Sequence, residues 1–317
     1  MSIRSILKVV PARSLIEGTG VHVNRGLAIH QMHNFNPFLL IDHFKGKVGE
    51  GFPFHPHGGM QTITYMIKGH MMHEDFTGSR GIVGPGDLQI MTAGKGIAHQ
   101  EIPIGRLRDD SVEGIQLWVA LPELFLKTDP GHEIVAASKT RSVKAVDSYV
   151  NILSGLAMGA LVKTDLAKAN IELYHYIIAP RAQFEIPARE DWNWFLYVML
   201  GNGLNIDNQA VEANTSVFFN RDGDHIVGRN KANTKLDFFV AAGEILDQPI
   251  KTIYLFSGPD VKEIQKNMAE FKAHSGPFEK FGTYVPKSTE ELADELVPWK
   301  QRGWVEKKAT NAVEFGD

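Results

Sequence analysis

Gly84-Pro85-Gly86-Asp87-Leu88-Gln89-Ile90-Met91-Thr92-Ala93-Gly94-Lys95-Gly96-Ile97-Ala98-His99-Gln100-Glu101 reads as turn, strand, glycine loop and strand. Pro85-Gly86-Asp87 is a turn that sets strand register, and Gly94-x-Gly96 can adopt the positive φ that brings one strand close to its neighbour. The same alternation continues outward. Short runs rich in β-branched and aromatic residues lie at Gln61 to Ile67, Gly114 to Ala120, Ile171 to Ala179, Trp194 to Leu200 and Lys235 to Ala241. Between them fall Thr77-Gly78-Ser79-Arg80-Gly81 and Gly201-Asn202-Gly203. This pattern predicts an all-β sandwich or barrel. Helical period appears only late, where Val261, Ile264, Met268 and Phe271 form one stripe and Ser288 with Glu291 offers a capping box. Those helices are expected outside the sheets.

His99-Gln100-Glu101 is matched upstream by His55-Pro56-His57. Residues i and i+2 of a strand share a face, so each doublet aims two donors at one point. On neighbouring strands, three imidazoles and one carboxylate converge. That set suits iron, nickel, copper, cobalt or manganese rather than a thiolate zinc site. For a lone histidine, a solvated or core role is the better reading, and it is taken for His22, His43, His132, His175, His225 and His274. His30 with His33, and His70 with His73, are read as turn or core imidazoles and not as a second site. Phe52, Phe54, Met60, Met91 and Trp118 are candidates for either an apolar substrate pocket or the core.

A chain of 317 residues can bury two cores. The net charge of −4 gives no basic excess for a nucleic-acid or lipid surface, and with no cysteine there is neither a disulfide framework nor a thiol nucleophile. No apolar run of signal-peptide or membrane-spanning length is evident, so the cytoplasm is the expected address.

Tyr65-Met66-Ile67-Lys68-Gly69 and Tyr197-Val198-Met199-Leu200-Gly201 form a weak repeat. Carrying the first register onto the second copy puts Pro187 and Arg189 at the places of His55 and His57, and Gly228 and Asn230 at those of His99 and Glu101. The expectation is one metal ion per chain. The expected organisation is an N-terminal domain with the metal site over 1–135, a crossover over 136–168, a second domain without metal ligands over 169–258, and a helical extension over 259–317. The tail from Lys300 to Asp317 is expected to be a solvated end.

The N-terminal stretch resembles the pirins, two-domain members of the cupin superfamily. The resemblance is carried by Asn36-Pro37-Phe38-Leu39-Leu40-Ile41-Asp42-His43-Phe44, by Phe54-His55-Pro56-His57-Gly58-Gly59, and by Thr62-Ile63-Thr64-Tyr65-Met66. It continues through His73-Glu74-Asp75-Phe76, Gly84 to Gln89, and Met91 to Pro103. It implies two jelly rolls with double-stranded β-helix topology and makes His55, His57, His99 and Glu101 the ligands. Four protein ligands would leave about two positions open on an octahedral ion. Where pirins usually have Arg, Phe and Glu, this chain has Gly58, Met60 and Gln61. The loss of that carboxylate is expected to alter the charge beside the ion. The family's usual signature after the second domain is not evident in Phe256-Ser257-Gly258-Pro259-Asp260.

The activity implied is that of a quercetin (flavonol) 2,3-dioxygenase. One ion per chain, with Fe2+ favoured and Ni, Cu, Co, Mn or Zn as alternatives, would meet an aromatic, flavonol-like substrate and O2. Glu101 would both ligate and accept the substrate's proton. The alternative is an iron-dependent, redox-sensing regulator, a transcription cofactor or modulator of metabolic enzymes, with a protein partner and no fast turnover. A zinc or manganese sugar-phosphate isomerase is a third and weaker reading. A monomer is favoured, with no direct nucleic-acid binding and no membrane contact.

Overall fold

The computed structural model describes residues 2–105, 110–162 and 167–287. The capping box at Ser288 and Glu291 and the tail from Lys300 lie outside the described residues. Within them the chain is strand and turn, with one α-helix, Val261–Lys272, and three short 3-10 helices. The helix starts where Asp260 accepts hydrogen bonds from the backbone of Lys262 and Glu263, an N-cap that satisfies two otherwise orphaned donors. No helix among the described residues is long and apolar enough to cross a membrane.

Four main sheets make two sandwiches. In the first, a seven-stranded sheet runs Gly131–Val135, Leu88–Thr92, Met60–Lys68, Ser111–Ala120, Phe38–Lys47, Val21–Leu27, Arg13–Glu17. It faces a four-stranded sheet in the order Phe52–His57, Ile97–Ile104, His70–Asp75, Arg80–Val83. In the second, an eight-stranded sheet containing Asn193–Leu200, Leu236–Gly243 and Ile171–Ile178 faces one built from Gln183–Pro187, His225–Asn230, Leu204–Ile206 and Gln209–Val211. The N-terminal strand Ile6–Pro11 pairs with Thr215–Phe219 of the eight-stranded sheet. The segment expected to be a crossover supplies three strands to that sheet, Arg141–Lys144, Ser148–Ala157 and Ala160–Val162.

Strand parity explains how one sheet serves two cores. In Met60–Lys68, Ile63, Tyr65 and Ile67 face the eight-stranded sheet, meeting Phe195, Phe218 and Phe239 in a shared core. Met60 and Met66, on the opposite face, enter the interior of the first sandwich. A strand covered on both faces has no solvent-facing side, which is why every residue from Met60 to Ile67 is buried, the polar Gln61, Thr62 and Thr64 included. Met60 and Met91 are fully buried among Ile97, Phe256 and Phe278 and are therefore core rather than pocket residues.

Gln61 follows the same parity. It lies on the face of Ile63 and Tyr65, where its amide donates to Thr92 Oγ1 at 2.8 Å and its carbonyl accepts from Lys168 N at 2.7 Å. The expectation that Gln61 alters the charge beside the ion is thus corrected: a period of two sends its side chain away from the ligand doublets.

The second sandwich also corrects the repeat register. Gly228 pairs with Phe184 rather than Pro187, because Pro187 lies opposite His225. A Cβ on Gly228 would fall 2.3 Å from Phe184 Cζ, so the glycine makes room for a buried phenyl ring. Asn230 is turned to the backbone carbonyls of Ala179 and Thr234. Among the described residues, every group with the composition to hold a metal lies in the first sandwich.

Candidate metal centre

The site grows from strand pairing. Phe52–His57 lies antiparallel to Ile97–Ile104 with His55 opposite His99 and His57 opposite Ile97, and a register shift follows between His99 and Glu101. Both doublets therefore point into the sandwich. The loop before His99 uses positive φ at Gly94 (51°) and Gly96 (144°). A Cβ at Gly94 would lie 2.2 Å from Thr128 O, so this approach of two backbones requires glycine.

His55, His57 and His99 each offer a donor atom within 4.8 Å of the others. Donors about 2.1 Å from a common ion lie within about 4.2 Å of one another, so binding requires only a small contraction. The rings are mutually inclined at 80°, 49° and 59°, which lets in-plane lone pairs converge. His55 Nδ1 donates to Pro53 O at 2.9 Å, which leaves its Nε2 lone pair free. His57 Nδ1 and His99 Nε2 are buried without a protein partner. Leaving each such nitrogen unsatisfied costs about 1–3 kcal/mol, and a cation among them would remove that penalty. Burial holds the His55 imidazole below its ordinary range. Burial, reinforced by neighbouring imidazoles, holds His57 and His99 well below it, so all three are neutral donors at pH 7. The residues present fit a divalent ion.

Glu101 stands beside this cluster, grouped by distance with His99 and His73. Its carboxylate is held from the opposite sheet. Oε1 accepts from Gln89 Nε2 at 2.9 Å and Thr64 Oγ1 at 3.1 Å, and Oε2 accepts from Gln116 Nε2 at 3.1 Å. These three are cross-strand neighbours, since Thr64 opposes both Gln89 and Gln116. The row extends through Asp42, opposite Gln116, to Arg25, opposite Asp42. Arg25 grips Asp42 with two hydrogen bonds, at 2.9 and 2.7 Å. The row's even spacing in a sheet is not visible in the sequence until the strands are paired.

A cavity of about 1060 Å3 opens against the cluster. His55, His57 and Glu101 reach its surface, Phe52, Phe54, Trp118, Phe256 and Phe271 supply aromatic walls, and Arg25, Asp42 and Gln116 supply a polar floor. Gly58 has a clear reason here. A Cβ at this position would lie 2.8 Å from Phe256 Cδ1 and 3.1 Å from Asn267 Nδ2, so the C-terminal segment occupies the space an arginine side chain would need.

His73 and His132 each have a side-chain partner, His73 between His99 and Asp75 and His132 at Ser79. His73 and Asp75 form a third inward doublet on His70–Asp75, the strand on the other side of Ile97–Ile104, and His132 lies against them. The signal was the i, i+2 spacing of His73-Glu74-Asp75, which pairing His70 with His73 overlooked. His175 is a satisfied core imidazole, as expected, bonded to Tyr65 and Asp237.

Residues 20–119 match the family model described as Pirin, and residues 173–279 match the one described as the pirin C-terminal cupin domain. Human pirin is 32% identical over 295 residues, spanning 90% of this chain and 98% of the relative. Among solved structures, quercetin 2,3-dioxygenase from Acinetobacter baumannii superposes with a TM-score of 0.79 at 22% identity, covering 86% of this chain and 98% of that one. A bacterial pirin from Escherichia coli in complex with nickel(II) superposes at 0.58 with 18% identity, covering 75% and 99%. The two solved structures share the fold with this chain, while the paired domain models and the human relative settle the kinship: the chain belongs to the pirin family, built of two cupin domains.

Proposed function

We propose that this protein is a metal-dependent dioxygenase that opens a flavonol-type ring, with Fe2+ as its ion, held by His55, His57, His99 and Glu101. The observation that carries this reading is the cavity. A neutral imidazole cluster and a carboxylate meet one open space that is aromatic on its walls and polar on its floor. Such a lining suits a flat aromatic molecule carrying several hydroxyls. The fold shared with a quercetin 2,3-dioxygenase, and the nickel(II) in a related bacterial pirin, are consistent with it.

The protein's own groups divide the work. Phe54, Trp118 and Phe271 flank the substrate's rings and displace water. Glu101 accepts the proton of the substrate's acidic hydroxyl at a carboxylate oxygen, while Gln89, Thr64 and Gln116 keep that carboxylate oriented. A divalent ion, when bound, supplies Lewis-acid stabilisation of the resulting oxyanion and redox contact with dioxygen. The Arg25–Asp42 pair on the floor offers both a donor and an acceptor to the substrate's remote hydroxyls. Flavonol and dioxygen together yield the ring-opened ester and carbon monoxide, which balances without a further reductant.

An aerobic assay of metal-stripped and Fe2+-reloaded protein tests this. Quercetin loss with equimolar carbon monoxide, restored by reloading, is expected. Tight ion binding with no turnover would reject the dioxygenase reading and is what the regulatory alternative requires.

A further inference from the structure

His73, Asp75, His99 and Glu101 are all enclosed, none more than 2% exposed. In the antiparallel pairing of their strands, His99 lies opposite Asp75 and Glu101 opposite His73. His73 Nδ1 sits 3.2 Å from His99 Nδ1. On the far side of its ring, His73 Nε2 sits 3.3 Å from Asp75 Oδ2. The other oxygen of Asp75 is fixed by Thr77, accepting from its backbone N at 2.8 Å and its Oγ1 at 2.5 Å.

A neutral imidazole carries one N–H and one lone pair, so two orders of hydrogens are conceivable along this line. In the first, His99 carries its hydrogen on Nδ1 and donates to His73 Nδ1, and His73 carries its own on Nε2 and donates to Asp75. Every contact is then a hydrogen bond. In the reverse order, the His73 Nε2 lone pair faces the Asp75 carboxylate, which is repulsive. His99 would also point an N–H from Nε2, a buried atom with no acceptor. The fixed carboxylate selects the first order.

We propose that Asp75 and His73 are positioning residues which, acting in series, hold the His99 hydrogen on Nδ1 and thereby present the Nε2 lone pair to a divalent ion. The proposal rests on reading His55, His57 and His99 as the ion site. A carboxylate commonly orients a metal-binding histidine directly; here a second imidazole is inserted between them. His132 does not turn the outer group into another ion site. Its ring stacks on His73 at 4.2 Å and 18°, so the in-plane lone pairs of the two rings lie in separate, nearly parallel planes, and its Nδ1 is engaged 2.8 Å from Ser79 Oγ. It covers the open face of His73.

Long-range 1H–15N correlation of metal-free protein at pH 7.5 reads the tautomers directly, and nickel(II) titration of the same sample reads affinity. In the wild-type protein, His99 should carry its hydrogen on Nδ1 and His73 on Nε2. In Asp75→Asn, the amide can donate toward His73 Nε2, so both tautomers should reverse and nickel(II) affinity should fall about 10–100-fold. In His73→Phe, the His99 tautomer should lose its bias and affinity should fall by a similar factor. Wild-type His99 bearing its hydrogen on Nε2 overturns the proposal whether or not either variant folds. An Asp75→Asn protein with unchanged tautomers and affinity does the same. Failure of the wild type to bind nickel(II) would reject the ion site itself, and the tautomer spectrum would still judge the relay.

Discussion

Replacing His99 with alanine is expected to reduce ion affinity by more than about 100-fold, beyond the 10–100-fold typical of losing an outer partner. Among the described residues, His99 belongs to two of the three groups that could hold a metal. It also links the His55–His57 doublet to the His73–Asp75 doublet, through an inclined ring contact on one side and a hydrogen bond on the other. Stability should separate from binding. An added ion should raise the melting temperature of the wild-type protein by mass action, and His99→Ala should lose that rise. The metal-free variant should keep a β-sheet circular dichroism spectrum, because the Ile97–Ile104 ladder is made by the backbone. Elemental analysis and thermal melts with and without nickel(II) decide it. A variant that retains one ion per chain would show that the cluster is not the site.

The largest expected stability effect is at Gly59, two residues beyond His57. Its φ is 72°, and a Cβ would lie 1.8 Å from Ser257 O. The backbone there is held by hydrogen bonds from Gly59 N to Gly94 O at 2.9 Å and from Leu121 N to Gly59 O at 3.3 Å. Neither side can yield easily. Gly59→Ala should therefore combine about 1–2 kcal/mol of left-handed strain with about 1–3 kcal/mol of overpacking. Gly78 separates the two contributions, since it has a φ of 87° but nothing within 4 Å of a built Cβ. Gly78→Ala should show only the first. Denaturant midpoints of the two variants measure the difference, and equal destabilisation would remove the clash from the explanation. Because any shift of Gly59 also moves the end of the His55–His57 strand, nickel(II) affinity should fall in Gly59→Ala and not in Gly78→Ala.

Much of this was legible before any strand was paired. The glycine loop Gly94-x-Gly96 and the doublets at His55-Pro56-His57 and His99-Gln100-Glu101 declare their geometry locally, because backbone handedness and a period of two are properties of consecutive residues. The helix beginning after Asp260 is announced in the same way by its stripe of Val261, Ile264, Met268 and Phe271. What stayed hidden depends on register. Gln61 invites placement beside the ion by analogy, yet its parity with Ile63 and Tyr65 sends it to the other face. Thr64, Gln89 and Gln116 look unrelated in the sequence and become one row only across three paired strands. His73-Glu74-Asp75 was as readable as the other two doublets. Reading His73 together with His70, as turn or core imidazoles, leaves its i, i+2 partner Asp75 aside. In the second sandwich, the spacing of Gly228 could not show that Phe184, rather than Pro187, would stand against it.

Anomalous diffraction at the metal edge, from crystals of protein purified without added metal and then loaded with iron(II), tests the central claim most directly. One peak per chain is predicted, enclosed by the side chains of His55, His57, His99 and Glu101. A peak between His73, Asp75 and His132, a peak in the second sandwich, or no peak at full loading would contradict it.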